Sequence, residues 1–486
     1  MTLRGLGKVL PPGFSILLLF CIFLYAFLWQ QLGTHAVRKF FHPNVVTTYF
    51  TSPESNDQQM NDKLSLFSWR HGVKPTPENF SETNETNSAE ARTHTGAKPT
   101  IKAHPVSRRL SYTVNKKGNS KFGLSTVHHT ANITTGPIMN KKSFSKMPKW
   151  DFEEKYIQDT HPKQMTCQES LRNTADPEFN RSFIPNIQLF MHREHLNMSE
   201  WNRLTHFNNP FGFMGYHYKD VKTAVDLIPK TADNFLTVPR NDKSKCIRCA
   251  VVGTGGILSG SLMGKEIDSH DYVFRMNGAV IKGYEEDVGN RTSVYVHTMH
   301  STRASLYLLE KYGFKSIPRD ENIKYVLIPE GVRDFQWLLG LLQKKPIPEG
   351  DYSGIRPWTY YPDNMDLNRF YVLHPDFLRY VKNRFLKSKI LQSPSWHVYR
   401  PTNGAFTLFL ALHACDVVDA YGFVTADYSK YSNYYYDKLK AKVTFYGNHD
   451  YNLEMNLWKK LHDSEIIRLY QRQEDTEDSR NKTSKH

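Results

Sequence analysis

Apolar positions follow three different regimes along the chain. From Phe14 to Trp29 the run is unbroken apart from Ser15, and at the helical rise such a segment covers about 24 Å, close to the span of a thin bilayer. Arg4 and Lys8 precede it and no A-x-A cleavage pattern follows, so it reads as an uncleaved signal anchor rather than a leader. Residues 1–13 are then a cytosolic tail, 14–29 the membrane span, and the rest of the chain luminal. Residues 30–150 form the second regime, a luminal stem. From about residue 42 they are rich in Ser, Thr, Asn, Pro, Lys and His without a sustained period, the pattern of a disordered linker.

Beyond residue 150 short β-branched or aromatic runs alternate with stretches of helical period. Val251-Val252 runs into Gly253, Gly255 and Gly256, which predicts a buried strand ending in a tight turn whose backbone can approach a phosphate closely. Tyr272–Asn277, Lys324–Pro329 and Val417–Phe423 read as further strands. Phe335–Leu342 and Asp376–Leu386 read as helices, and Phe406–Ala414 as a buried helix. That order predicts an α/β domain over 151–486, a Rossmann-like parallel sheet with helices on both faces and ligands at the carboxyl ends of its strands. A dinucleotide-binding fingerprint is excluded: counting from Gly253, the last glycine of G-x-G-x-x-G is replaced by Leu258. The second strand also ends on Asn277 where a ribose-binding acid belongs.

Charge and cysteine content change the picture in two places. The chain holds 63 Lys and Arg against 48 Asp and Glu, a net +15, and the first 150 residues hold 19 of those basic and 7 of the acidic side chains. The excess therefore sits in the stem, with ten basic residues and no acid between 101 and 150. Behind a signal anchor such a segment meets lipid headgroups or anionic glycans, or simply stays extended, rather than binding nucleic acid. Cys21 falls in the membrane run, leaving Cys167, Cys246, Cys249 and Cys415 as an even luminal set whose spacing does not choose among three pairings. The C-I-R-C stretch lacks a second ligand pair for zinc and a cytosolic setting for redox work. Asn79, Asn84, Asn132, Asn180, Asn197, Asn290 and Asn481 head N-glycosylation sequons, with Asn290 in a position that folding is able to hide.

The stretch Cys246 to His297 resembles the large sialylmotif of the animal sialyltransferases. Pro401 to Phe423 resembles the small one, Tyr434-Tyr435-Tyr436-Asp437 the third, and His449 to Glu454 the very small H-x4-E motif. The resemblance runs over roughly residues 160 to 472, and its flavour is that of the N-acetylgalactosaminide α-2,6-sialyltransferases. It implies a GT-A-like fold variant in a single-pass type II Golgi membrane protein. It also implies an inverting transfer of sialic acid from CMP-sialic acid to the 6-hydroxyl of O-linked GalNAc on mucin-type glycoproteins. No resident metal or cofactor is expected, and an Asp-x-Asp that would hold a divalent ion is absent. The resemblance pairs Cys249 with Cys415, leaving Cys167 for Cys246.

By the same resemblance His449 is the general base, an imidazole suiting that work because its pKa lies near working pH. Glu454 is placed to cap or orient the loop. Thr254, Asn277, Thr402, Asn403, Gly404, Gly422 and Tyr434 are donor-binding positions, with Thr402-Asn403-Gly404 leading into a helix start suited to an anion. The chain departs from the family pattern at Thr254, Asn403 and Tyr434, where Asn, Ser or Thr, and His are usual. These departures motivate an alternative, a catalytically weakened luminal glycan-binding protein with the same fold.

Overall fold

The computed structural model describes residues 134–160, 167–230, 235–237 and 246–472. The predicted tail, membrane span and most of the stem lie outside them, as do the sequons at Asn79, Asn84, Asn132 and Asn481. No helix among the described residues is long and apolar enough to cross a membrane.

Seven short strands are described: β1 (Arg248–Val252), β2 (Tyr272–Met276), β3 (Val294–His297), β4 (Lys324–Leu327), β5 (Phe370–Val372), β6 (Val417–Tyr421) and β7 (Arg468–Leu469). They form one sheet in the order β5-β4-β3-β2-β1-β6-β7, and every neighbouring pair is parallel. Val251 in β1 lies opposite Phe274 on one side and Ala420 on the other. All of β3 and the last four residues of β1, β2 and β6 are buried. Successive side chains point to opposite faces, so both faces of the sheet are covered.

The covering helices are α1 (Pro177–Ser182), α2 (Met198–Leu204), α3 (Tyr218–Val225), α4 (Gly264–Asp268), α5 (Glu285–Val288), α6 (Met299–Leu308), α7 (Val332–Gln343), α8 (Pro375–Arg384), α9 (Asn403–Ala414) and α10 (Tyr451–Asp463). α9 is buried from Ala405 to Ala414 and lies against β1, β2, β3 and β6, which explains its apolar composition on every face. Strands β2 to β5 extend from one side of β1, and β6 and β7 from the other. The order therefore reverses between β1 and β6, where ligand crevices form in open parallel sheets. Disulfides join Cys249 to Cys415 and Cys167 to Cys246, the two pairings that the resemblance implies. The first of them ties β1 to the residue that ends α9.

Several expected boundaries move. β6 stops at Tyr421 because Gly422 takes φ +70, and β2 stops at Met276 because Asn277 takes φ 52, the left-handed region open to Gly and tolerated by Asn. The helix expected from Phe406 starts at Asn403, since the Thr402 hydroxyl accepts the Ala405 N–H at 3.0 Å and caps it.

The boundary at residue 150 is displaced toward the N-terminus. Met147 is buried with Met214, Leu391, Trp396 and Tyr399, and Phe144 and Phe152 pack on that cluster. The Trp150 indole donates to His206 O at 2.9 Å, and Lys382 of α8 pairs with Asp151 in the interior. A few large side chains spaced irregularly among polar ones anchor this strap, so no periodic signal announced it. Asn180, Asn197 and Asn290 are all exposed.

Candidate active site

The exits of β1 and β6 meet backbone to backbone. Gly253 N–H donates to Tyr421 O at 2.7 Å and Gly255 N–H to Gly422 O at 2.9 Å. A Cβ on Gly253 would stand 2.7 Å from Gly422 O, and one on Gly256 2.1 Å from Ser432 O. The glycine turn is thus required by close approach to other backbone, and its three glycines also line the cavity. Thr254 O accepts the Tyr435 N–H at 3.2 Å, which ties the turn to the third motif.

Asn277, left-handed at the end of β2, accepts through Oδ1 from Asn403 Nδ2 at 2.8 Å. Asn403 is the first residue of α9, so the two candidate amides fix each other across the crevice. Thr402 is held from behind: Glu454 accepts from its N–H and from its hydroxyl, both at 2.7 Å. Glu454 therefore orients the cap of α9 rather than a loop of its own. Burial raises its pKa to about 7, against the lowering effect of the two Thr402 hydrogen bonds. Gly404 tolerates a side chain on this side: an added Cβ would make ordinary contacts with Thr402 Oγ1 at 3.4 Å, Phe423 at 3.6 Å and Met276 at 3.7 Å.

His449 closes the far wall. Its Nδ1 lies 2.8 Å from Arg400 O; a carbonyl only accepts, so Nδ1 carries the proton and Nε2 keeps its lone pair. Burial, with a smaller push from the Arg400 guanidinium, lowers the imidazole pKa to about 3, against the opposing effect of the bond to Arg400 O. The ring is consequently neutral across the physiological range, and its pKa lies well below the working pH expected of it, because burial disfavours the imidazolium. Tyr434 stacks on Tyr436 with centroids 5.0 Å apart, and its phenol shares hydrogen bonds with the Asn433 and Tyr446 side chains while burial raises its pKa. Asp437 braces this turn by accepting from Tyr434 N at 2.8 Å and Ser432 Oγ at 3.0 Å.

Thr254, Asn277, Thr402, Asn403, Gly404, Gly422, Tyr434 and His449 all line a single cavity of about 300 Å³. Sequence reasoning missed Arg400, which lines it too; next to Pro401, outside the residues compared, it carried no signal. Among the described lining residues Glu454 is the sole carboxylate, and both its oxygens are engaged by Thr402. The wall thus offers a neutral imidazole base and an anion-binding helix start, but no free carboxylate nucleophile.

Fold and site together define a Rossmann-like α/β protein with a crevice at the carboxyl edge of its parallel sheet, lined by a neutral imidazole and the start of a buried helix. The model of glycosyltransferase family 29 (sialyltransferase) matches residues 190–466, more than half of the chain, and the chain belongs to that family. It is 48% identical over 352 residues to an alpha-N-acetylgalactosaminide alpha-2,6-sialyltransferase 1 of Gallus gallus, covering 71% of this chain and 62% of that protein. To the protein of the same name from Homo sapiens it is 46% identical over 337 residues, 68% of this chain and 56% of the other. To alpha-N-acetylgalactosaminide alpha-2,6-sialyltransferase 2 of Mus musculus it is 40% identical over 329 residues, 67% of this chain and 88% of the other. The chain thus spans less than two thirds of the length of the first two relatives. A crystal structure of a mammalian sialyltransferase aligns at 23% identity with TM-score 0.47, over 64% of this chain and 100% of that one.

Proposed function

We propose that the protein is an inverting sialyltransferase that moves sialic acid from CMP-sialic acid to the 6-hydroxyl of O-linked GalNAc on mucin-type glycoproteins, with His449 as general base. The observation that carries this is the His449 tautomer: Nδ1–H is committed to Arg400 O, and Nε2 is free to take a proton on the wall of the cavity that holds the α9 start. Family membership and the names of the relatives support the chemistry and the acceptor sugar.

In the proposed step the acceptor hydroxyl gives its proton to His449 Nε2 as its oxygen bonds to the anomeric carbon. The bond from that carbon to the phosphate oxygen breaks, and CMP leaves with the electron pair. Backbone amides at the start of α9 and the Tyr434 phenol are the groups placed to meet the charge growing on the phosphate. With one monophosphate leaving and neutral donors to receive it, the reaction uses no resident metal. Glu454, engaged by Thr402, forms no covalent intermediate, so a single displacement inverts the anomeric centre. The chain is proposed to work in the Golgi membrane as a single-pass type II protein with this domain luminal.

The test incubates the full chain in detergent with CMP-sialic acid and a GalNAc-peptide and reads product mass and linkage. The expected result is one α-2,6-linked sialic acid, with His449→Ala abolishing transfer yet binding CMP as the unaltered protein does. CMP or glycan binding without any product would instead favour a glycan-binding protein.

A further inference from the structure

Among the described residues lining the cavity, Arg400 is the sole lysine or arginine. His449 is neutral there, and Glu454 is turned to Thr402. The donor of the proposed reaction brings two anions, a phosphodiester and the carboxylate on the anomeric carbon, and Arg400 is the cation on this wall available to one of them.

Arg400 is built as a preset cation. Its Nη2 lies 3.2 Å from Glu330 Oε1, with side-chain exposures of 26% and 8%, and its Nε is buried without a hydrogen-bond partner. Glu330 stands in the loop after β4, so the guanidinium is steadied from a separate part of the sheet's carboxyl edge. Such a fork has five donors and matches a carboxylate in two parallel bonds.

Its position selects between the two anions. Arg400 N–H donates to Asn448 O at 3.0 Å and Arg400 O accepts from His449 Nδ1 at 2.8 Å, so the Arg400 main chain and the base belong to one hydrogen-bonded unit, and the guanidinium lies near enough to the imidazole to help lower its pKa. The base must face the anomeric carbon, and the carboxylate is attached to that carbon. The phosphate leaves from the opposite side, toward the α9 start and Tyr434.

We propose that Arg400 binds the sialyl carboxylate of the donor and so selects for an intact sialic acid beside the base. This rests on the sialyl-transfer reading. Fixing the carboxylate fixes rotation about the bond being broken, which aims the anomeric carbon at the acceptor oxygen.

The test uses the full chain with Arg400→Gln, Arg400→Lys and Glu330→Gln, reading CMP affinity by calorimetry and KM for CMP-sialic acid and for its carboxyl methyl ester. Arg400→Gln should raise the KM for CMP-sialic acid about thirtyfold while CMP, which lacks the carboxylate, binds within twofold of the unaltered protein. That unchanged binding also certifies the fold. The unaltered protein should discriminate against the methyl ester by a similar factor, Arg400→Gln should not discriminate at all, and Arg400→Lys should recover part of the loss. Equal losses in CMP and CMP-sialic acid affinity would assign the guanidinium to the phosphate and overturn the proposal. So would retained discrimination against the ester in Arg400→Gln, or full reproduction of its phenotype by Glu330→Gln. Failure of the unaltered protein to transfer sialic acid to any acceptor would instead overturn the proposed function.

Discussion

Replacing Glu454 by Gln isolates one buried proton. Glu454 is 5% exposed and its carboxyl, at about 7 against an ordinary 4.5, stays protonated in the folded protein over a range where the unfolded chain has released it. Between those values the native state binds more protons than the unfolded state, so stability falls as pH rises. The shift is about 2.5 units, which from pH 5 to 8 removes about 2.5 kcal/mol. Gln carries no titrating proton, yet its carbonyl can accept from Thr402 N–H and its amide can donate to Thr402 Oγ1. Urea unfolding at intervals from pH 5 to 8 with disulfides intact should therefore show Glu454→Gln gaining about 2.5 kcal/mol on the unaltered protein toward pH 8. Glu454→Ala should lose stability throughout, because two buried donors on Thr402 are left without an acceptor at about 1–3 kcal/mol each. Parallel pH curves for the unaltered protein and Glu454→Gln would refute the buried-proton reasoning.

Two further outcomes follow from the same wall. Gly404→Ala meets only ordinary contacts, the nearest at 3.4 Å, whereas Gly256→Ala meets Ser432 O at 2.1 Å. The first should keep its melting temperature but raise the KM for CMP-sialic acid about tenfold, a loss on the order of 1.4 kcal/mol, and the second should unfold at a markedly lower temperature; an unchanged KM in Gly404→Ala would remove α9 from the donor site. Because His449 titrates near 3, log kcat/KM measured in the Glu454→Gln background should stay flat from pH 8 down to 5, and an acid limb centred near 6.5 would show that the essential base is not held as described.

The sheet was legible where it is buried on both faces, since Ala250–Val252 is an apolar run closed by Gly253 and Val417–Tyr421 is one closed by Gly422 and interrupted only by Asp419. β3 and β5, only four and three residues long, give too short a pattern to separate from loop, and β7 is shorter still. The cavity was legible through the motif resemblance: its eight candidate positions come from segments nearly two hundred residues apart, and no periodicity links Thr254 to His449. What stayed hidden were relations between segments. The glycines face Gly422 and Ser432, Glu454 faces Thr402, and the strap around Met147 and Trp150 is held by α8 and Trp396. Each depends on which backbone lies opposite, a property of the assembled sheet rather than of local sequence.

The five-residue spacing from His449 to Glu454 has a mechanical meaning. Asp450 between them caps α10, accepting the Leu453 N–H at 3.1 Å, and is itself pinned by the Ser388 hydroxyl at 2.7 Å. His449 therefore sits in the turn just before the helix, its N–H bonded to Tyr446 O at 3.1 Å, and Glu454 lies inside the first helical turn, on the side facing α9. Both reach the same three residues, His449 binding Arg400 O and Glu454 binding Thr402. A single helix start thus grips Arg400 to Thr402 at two points, so the base, the Arg400 main chain and the cap of α9 are held as one unit. A group bound at the α9 start and a hydroxyl presented to His449 then meet at a separation set by the backbone rather than by flexible side chains, which is the condition for oriented displacement.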